Sequence, residues 1–389
     1  MSVTAPLGFR AAGVAAGLKE SGQPDVAVVL NDGPSRSAAA VFTTNRVQAA
    51  PVTWTRQVVR GGRVRAVVLN SGGANACTGP AGFQDTHATA EHLAAAIGAV
   101  SDEVGAGEIA VCSTGLIGER LPMDKLLPGV DAAVAEASRA GGLAAADAIR
   151  TTDTVVKIAF RRGTGGYTIG GMAKGAGMLA PSLATMLCVL TTDAELAPAR
   201  LDAALRSATA VTFDRLDTDG CMSTNDTVLL LASGATGVSP DAADFIVTLT
   251  EVCADLARQL QLDAEGAEKM ITIEVVGAAS EADAVTAGRA VARNDLLKCA
   301  IGGEDPNWGR VLSAVGTTDA AFEPDRLNVA INGIWVCRHG APGDERSKVD
   351  MKPKDVTITV DLSAGPHSAI ILTTDLTTAY VHENSAYST

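Results

Sequence analysis

The sequence lacks most of the motifs that identify a catalytic site. Its 389 residues contain no GxSxG turn and no HExxH helix, which a nucleophile-elbow hydrolase and a zinc protease would show. Lys174 is followed by Gly175, where a Walker A loop needs Ser or Thr. Of the five histidines, only His87 and His92 lie near each other, and a spacing of five places them on different helical faces. A Ser-His-Asp hydrolase is therefore disfavoured.

Basic clusters, long apolar runs and paired cysteines are absent as well. The formal net charge of −13 gives no electrostatic basis for binding nucleic acid. No run of about 18 apolar residues occurs, and the first residues lack the basic and apolar segments of a secretion signal. We therefore expect a soluble, cytoplasmic protein. The seven cysteines stand singly, so we expect buried free thiols and no metal site.

Aromatic residues make up only 3% of the chain, but hydrophobic residues make up 47%, enough for a large core with two or more domains or subdomains. Apolar runs rich in β-branched residues predict strands, and 3.6-residue spacing predicts helices between them, so the class is mixed α/β. The predicted strands are 66–69, 108–112, 228–231, 271–276, 327–336, 356–362 and 369–372. The predicted helices are 87–100, 198–210, 240–262 and 282–297.

Glycine is concentrated in the middle of the chain, with seven glycines between residues 163 and 177. Such a density indicates close backbone approach or unusual dihedral angles. No linker rich in Pro or Ser follows, so we expect a functional loop inside one folded body. Taken by itself, the run from Gly170 to Ala194 favours a plain turn that leads through Pro181 into a buried segment.

The same run, GGMAKGAGMLAPSLATMLCVLTTDA, closely resembles the self-cleavage segment of the ornithine acetyltransferases, also called glutamate N-acetyltransferases. In that family an Ala-Thr bond follows a KGAGMLAP-like run, and here the bond is Ala184–Thr185. Further family-like blocks occur in the expected order along essentially the whole chain. They are NSGGANACTG (70–79), VCSTGLIG (111–118), TFDRLDTDGCMSTND (212–226), DPNWGR (305–310) and ENSAYST (383–389).

The resemblance implies that Thr185, freed by cleavage after Ala184, is the nucleophile. A threonine hydroxyl needs a base, and an N-terminal threonine carries one in its own α-amine, whose ordinary pKa of about 7.7 to 8.0 suits general-base catalysis. No histidine is then required. We also expect backbone strain at the Ala184 carbonyl, which would assist cleavage.

Further site residues follow from the resemblance alone. Thr114, through its side chain, and Gly115, through its N–H, are expected to form the oxyanion hole. Lys174 is expected to bind a substrate carboxylate, and Glu265 to bind the ornithine ammonium. The remaining substrate-contacting positions are Thr151, Thr152, Asn384 and Thr389. Alone, Lys174 or Glu265 would be interpreted as a solvated surface group, and Thr114-Gly115 as the turn after a strand.

The implied reaction is ping-pong: N-acetylornithine acetylates Thr185, and glutamate then takes the acetyl group. The resemblance implies no metal and no organic cofactor, with acetyl-CoA as an alternative acetyl donor in some members. It implies a self-cleaving αββα sandwich of the ornithine acetyltransferase and DmpA-like type. An α chain (1–184) and a β chain (185–389) would form one folded unit, and two of each would assemble into a heterotetramer.

Three alternatives stay open on the sequence. A related N-terminal nucleophile aminopeptidase or amidohydrolase would transfer its acyl group to water. A non-enzymatic binding protein would keep the fold and never be cleaved. A paralogue in an antibiotic pathway would use the same chemistry, and the motifs do not separate it from an enzyme of arginine synthesis.

Overall fold

The computed structural model describes residues 2–99, 104–179 and 186–386. Within these residues the backbone forms strands that are mostly five to nine residues long. They are β1 (Phe9–Val14), β2 (Val26–Asn31), β3 (Ser37–Phe42), β4 (Ala66–Asn70), β5 (Ile109–Ser113), β6 (Lys157–Arg162), β7 (Thr168–Lys174), β8 (Leu187–Thr192), β9 (Thr227–Ala232), β10 (Met270–Ala278), β11 (Asn328–Ile331), β12 (Ile334–Arg338), β13 (Ala341–Pro342), β14 (Asp355–Asp361) and β15 (His367–Thr374).

Helices separate many of these strands. They are α1 (Ala50–Val59), α2 (Gly79–Gly98), α3 (Met123–Glu136), α4 (Gly142–Ala148), α5 (Pro198–Ala210), α6 (Ala242–Leu262), α7 (Glu281–Ala292), α8 (Asp295–Gly302), α9 (Trp308–Val315) and α10 (Thr378–Ala386). In the part of the chain that the structure describes, none of them is both long and apolar enough to cross a membrane.

Two sheets face each other at the centre of the molecule. The first has the strand order β1-β2-β4-β5, and the second has the order β3-β9-β8-β7-β6. Side chains such as Val29 and Leu69 of the first sheet pack against Val189 and Leu229 of the second. Helices α2 and α3 cover the outer face of the first sheet, and α5 and α6 cover that of the second. This αββα sandwich confirms the expected fold class.

Burial on both faces explains the composition of the central strands. β2, β4, β5, β8 and β9 are buried at every residue, so they consist of nearly continuous apolar runs and do not alternate with polar residues. Helix α1 packs at the edge formed by β5 and β3, and α4 packs beside β1. Sequence runs of this kind predict buried strands well.

A third sheet, with the order β13-β12-β11-β14-β10-β15, follows in the last third of the chain. Helices α7, α8 and α9 cover one of its faces. Its strands alternate accordingly, and in β14 the buried side chains are Val356, Ile358 and Val360. Such period-two burial is typical of a sheet with one covered face.

For three elements the predicted first or last residues are wrong. The predicted strand 327–336 is a hairpin, because Asn332 and Gly333 adopt positive φ values of 48° and 80°, as a two-residue type I′ turn requires. The predicted helix 282–297 is two helices, since the Asn294 side chain accepts a hydrogen bond from the Leu297 N–H and so begins α8. Helix α2 begins at Gly79, well before the predicted residue 87.

The expectation of buried thiols is wrong for three of the seven cysteines. Cys77 and Cys221 lie in loops, and Cys299 lies on α8, and all three are exposed. The other four are buried. Cysteine packs as a small apolar residue only where its backbone is already inside the core.

The glycine-rich stretch is mainly a β-hairpin, where the sequence predicted a functional loop. Its first glycines form the turn between β6 and β7, and Gly170 and Gly171 lie within β7. A Cβ atom on Gly170 would lie 2.1 Å from the Ser2 carbonyl oxygen. Close packing of the N-terminal segment on β7 therefore requires glycine at this position.

We expect Gly170→Ala to lower the free energy of unfolding by about 1 to 3 kcal/mol, because the new methyl group forces the Ser2 segment away from β7. Thermal unfolding followed by circular dichroism measures the effect. Gly107→Ala is the matched control, since no atom lies within 4 Å of a Cβ at that position. Equal melting temperatures for the two variants would contradict this account of the glycine.

Candidate active site

A cavity of about 100 Å³ opens where β5 and β7 end, beside the turn that follows α6. Among the residues that line it are all the predicted site residues that the structure describes: Thr114, Gly115, Thr151, Thr152, Lys174, Glu265 and Asn384. Residues that are far apart in sequence thus meet at one place. The predicted residues Ala184, Thr185 and Thr389 lie outside the described residues, as does the strain expected at Ala184.

The turn after β5 presents hydrogen-bond donors to this cavity. Thr114 directly follows the strand and is buried. Gly115 has a φ of 127°, and a Cβ there would lie 2.8 Å from the Gly73 nitrogen, so only glycine fits. The Gly115 N–H donates to no atom of the described residues. The turn thus offers an N–H and a hydroxyl side by side, as an oxyanion site needs.

Buried amides hold this turn in place. The Asn225 Nδ2 donates to the carbonyl oxygens of Ala74, at 2.6 Å, and Ser113, at 2.8 Å. The Ser113 hydroxyl donates to Asn70 Oδ1 at 2.5 Å. These contacts join three of the sequence blocks that carried the family resemblance, and they place Asn225 in the cavity wall.

Lys174, the last residue of β7, brings a buried cation to the cavity. Its Nζ donates to Thr151 Oγ1 at 2.7 Å and to Thr114 Oγ1 at 3.4 Å, and it lies 3.9 Å from Asp153 Oδ2. Burial lowers the pKa of Lys174, while the Asp153 carboxylate opposes that shift. The ammonium group is therefore positioned by its neighbours rather than free to swing into solvent.

Asp153 is the anion at the centre of this arrangement. Its Oδ1 accepts hydrogen bonds from Lys157 Nζ and from the Gly175 N–H, both at 2.6 Å. Burial alone would raise the pKa of Asp153, but Lys174, Lys157 and the Gly175 N–H lower it to about 2. Lys157 Nζ also donates to Asp263 Oδ2 at 2.5 Å, which connects the site to the end of α6.

Glu265 brings the opposite charge to the far side of the cavity. Its N–H donates to the Ala176 carbonyl oxygen at 2.9 Å, and its Oε2 accepts a hydrogen bond from Asn384 Nδ2 of α10 at 2.9 Å. A Cβ on Gly177 would lie 2.3 Å from Glu265 Oε2, so glycine there makes room for the carboxylate. The cavity thus has a cation and an anion at different points of its wall.

The loop before β9 contacts the chain on both sides of residues 180–185. Asp219 Oδ2 accepts the N–H of Met178 at 2.7 Å, and the Thr218 N–H donates to the Leu179 carbonyl oxygen at 2.6 Å. On the other side, Asp226 Oδ1 accepts the Met186 N–H at 3.0 Å. One loop therefore fixes the chain before and after the predicted cleavage site.

Sequence reasoning missed Asn225 in the cavity wall and four residues that act from behind it: Asp153, Lys157, Asp219 and Asp226. The segment RTTD (150–153) and the block TFDRLDTDGCMSTND (212–226) contain four of these five residues, but within them only Thr151 and Thr152 were assigned a role. The only signal available was their position in these two segments, because the sequence does not show which polar side chains are buried. Within the described residues, no group of three or more His, Cys, Asp or Glu side chains could hold a metal ion.

The arrangement suits a small molecule that carries both charges. Lys174 can pair with a carboxylate, Glu265 can pair with an ammonium group, and the Thr114-Gly115 turn can stabilise an oxyanion between them.

Comparison with known proteins shows the family of this chain. The ArgJ family model matches residues 10–389. The chain is 75% identical to the arginine biosynthesis bifunctional protein ArgJ of Thermobifida fusca over 389 residues, which cover 100% of each chain. It is 60% identical to the protein of the same name from Mycobacterium tuberculosis, over 99% of this chain and 96% of the relative. A solved ornithine acetyltransferase from M. tuberculosis, complexed with ornithine, is 64% identical and covers 46% of this chain and 94% of its own, with a TM-score of 0.46. This chain belongs to the ArgJ family.

Proposed function

We propose that this chain is an acetyltransferase of arginine biosynthesis that moves the acetyl group of N-acetylornithine to glutamate through an acetyl-threonine at Thr185, after self-cleavage at Ala184–Thr185. The observation that carries the proposal is the cavity in which Lys174 and Glu265 flank the Thr114-Gly115 turn. The family and the names of its close relatives support the pathway. A hydrolase that uses water as the acceptor is not favoured, because the match spans the whole chain.

In the first half-reaction the Thr185 hydroxyl attacks the acetyl carbonyl carbon and gives its proton to the α-amine of the same residue. The oxyanion receives hydrogen bonds from the Thr114 hydroxyl and the Gly115 N–H. The tetrahedral intermediate collapses, and the departing ornithine nitrogen takes the proton from the ammonium. In the second half-reaction the glutamate amine attacks the acetyl-threonine, and the steps run in reverse.

Substrate recognition follows from the charges on the wall. Lys174 pairs with the substrate carboxylate, and Thr151 holds the Lys174 ammonium at 2.7 Å. Glu265 pairs with the side-chain ammonium of N-acetylornithine, and Asn384 holds the Glu265 carboxylate at 2.9 Å. Thr152 and the terminal Thr389 complete the proposed binding set.

Cleavage gives an α chain of residues 1–184 and a β chain of residues 185–389, and we propose an assembly of two of each. Both pieces contribute strands to the second sheet, since β3, β6 and β7 precede the cleavage site and β8 and β9 follow it. The chemistry needs no metal or organic cofactor, because the nucleophile and its base belong to one residue. Acetyl-CoA is a further candidate acetyl donor.

We expect Thr185→Ala to give a single full-length band on a denaturing gel and no acetyl transfer, because both the cleaving hydroxyl and the later nucleophile are lost. The wild type should give two bands, split at Ala184–Thr185. Thr185→Ser is the matched control, since it keeps a hydroxyl and should retain cleavage and transfer at a reduced rate. An active Thr185→Ala variant would refute the nucleophile assignment.

We expect Glu265→Gln to raise the KM for N-acetylornithine about 10- to 100-fold, because a charge-assisted contact of about 1.5 to 3 kcal/mol is lost. The KM for glutamate should change much less, since glutamate has no side-chain ammonium group. Steady-state kinetics with each substrate varied in turn measure both constants. Glu268→Gln, the same change at an exposed position three residues on, should leave both constants unchanged. Equal effects on the two substrates would argue against the Glu265 assignment.

A further inference from the structure

A groove larger than the candidate active site lies at the outer edge of the second sheet. The end of β3, from Ala40 to Phe42, forms its floor, and helices α1 and α5 form its walls; we call it the β3 groove. Its volume is about 430 Å³, against about 100 Å³ for the active-site cavity. Pockets that hold small molecules usually measure about 300 to 1,000 Å³. The β3 groove is thus large enough for a ligand, and the reaction proposed above makes no use of it.

Three guanidinium groups line the β3 groove, against one carboxylate. Arg56 lies on α1, and Arg60 directly follows that helix. Arg206 lies on α5, where its Nε donates to Asp202 Oδ2 at 2.8 Å. Within the described residues, neither Arg56 nor Arg60 has a carboxylate partner. Three arginines less one aspartate leave the groove with an excess of two positive charges, in a chain whose formal net charge is −13.

Helix stability does not account for this arrangement. A cation near the carboxyl end of a helix interacts favourably with the helix dipole, and Arg56 in the last turn of α1 does so. That interaction does not require several cations to line one groove, where like charges repel each other. The Arg56 guanidinium is held in the groove, because it lies 5.1 Å from the centre of the Phe42 ring. An anion among the guanidinium groups would offset their repulsion.

The floor of the β3 groove supplies backbone hydrogen-bonding groups as well. β3 is an edge strand that pairs with β9 on one side, and on its other side the Ala38 N–H donates to the Gly62 carbonyl oxygen at 3.0 Å. Alternate residues of an antiparallel strand direct their N–H and C=O groups to opposite sides, so those of Ala40 and Phe42 also point away from β9. Within the described residues, these two N–H groups have no acceptor. A ligand in the groove would therefore meet open backbone groups beside the arginines.

The open part of this strand edge is short. Gly62 covers β3 before Ala40, and after Phe42 the Thr43 N–H donates to the Asp226 carbonyl oxygen at 3.0 Å. About three residues, or roughly 10 Å, are left open, which is less than the common length of a strand. An added peptide strand would therefore find few partners. A compact anion fits better, and arginine is the side chain that binds phosphate through paired hydrogen bonds.

A single hydrogen bond connects the wall of the β3 groove to the wall of the candidate active site. Thr43 lines the groove, and its hydroxyl donates to the Ser223 carbonyl oxygen at 2.7 Å. Ser223 in turn lines the active-site cavity. A ligand in the groove would therefore lie next to the loop that forms the cavity wall. Its phosphate groups could belong to a carrier whose other end reaches the cavity, or to a nucleotide that stays in the groove.

We propose that the β3 groove is a binding site for the phosphate groups of a small phosphorylated ligand. Arg60 and the terminal nitrogens of Arg206 bind the phosphate oxygens, and Arg56 adds positive charge from the face of the Phe42 ring. Two kinds of ligand share this chemistry: a free nucleotide, and a coenzyme A thioester, whose nucleotide part carries a diphosphate and one further phosphate. The amide groups of the coenzyme A arm would suit the open N–H and C=O groups of the strand edge. The site does not depend on the proposed acetyl transfer from N-acetylornithine.

Isothermal titration calorimetry of the full-length protein tests the site with inorganic pyrophosphate, ADP, coenzyme A and octaglutamate. We expect the three phosphate compounds to bind, with affinities that fall as salt is added. We expect Arg60→Gln and Arg206→Gln each to weaken their binding about 10- to 100-fold, because a charge-assisted contact is lost. Tighter binding of coenzyme A than of ADP would identify the ligand as an acyl carrier, and equal binding would identify it as a nucleotide.

Arg139→Gln is the matched control, since Arg139 is exposed and lies outside the groove. We expect it to bind the phosphate compounds as the wild type does. The Arg60 side chain is exposed and has no hydrogen-bond partner within the described residues, so Arg60→Gln should keep the wild-type melting temperature.

Several outcomes would overturn the proposal. They are the absence of binding by all three phosphate compounds at millimolar concentration, unchanged binding in both Arg60→Gln and Arg206→Gln, and an equal loss in Arg139→Gln. Tighter binding of octaglutamate than of pyrophosphate would instead indicate an acidic peptide as the partner and would also overturn it. None of these measurements requires acetyl transfer, so a failure of the proposed function would not alter their result.

Discussion

The candidate site depends on a buried group of four charges, Asp153, Lys157, Lys174 and Asp263. Asp153 contacts both ammonium groups, and Lys157 contacts both carboxylates. The free-energy cost of burying these charges is offset by their mutual attraction only while their geometry is kept. Loss of one partner typically costs about 3 to 5 kcal/mol of stability. The group therefore locks β6, β7 and the end of α6 together. Lys174, Thr151 and the turn that carries Glu265 are positioned on the cavity as a result.

Local patterns predicted the elements of the fold better than their limits. The predicted helix 198–210 matches α5, and the runs at 66–69 and 228–231 match β4 and β9 within a residue at each end, because continuous apolar runs are needed where both faces are buried. The errors arose where one polar residue changes the backbone: Asn332 with Gly333 turns a strand into a hairpin, and Asn294 starts a new helix. Average hydrophobicity over a run conceals such single-residue signals.

The site was predicted by resemblance rather than by periodicity, and Asn225 and the residues behind the cavity wall were not predicted at all. Thr114, Lys174 and Glu265 come from the ends of three different elements, and no local pattern indicates that these ends meet. Asn225 illustrates the limit. Its sequence context reads as a polar loop, yet its amide joins carbonyl groups 151 and 112 residues away. Contacts of that range follow from the stacking of the two sheets, which only the three-dimensional fold provides.

The proposed self-cleavage at Ala184–Thr185 is compatible with a stable fold because β7, before this bond, and β8, after it, belong to the same sheet. All six residues of β8 pair with β7, from Ile169 opposite Thr192 to Lys174 opposite Leu187. Loss of one peptide bond between them removes none of these hydrogen bonds. The pairing of β7 with β8 would therefore keep Lys174 at the cavity after such a cleavage.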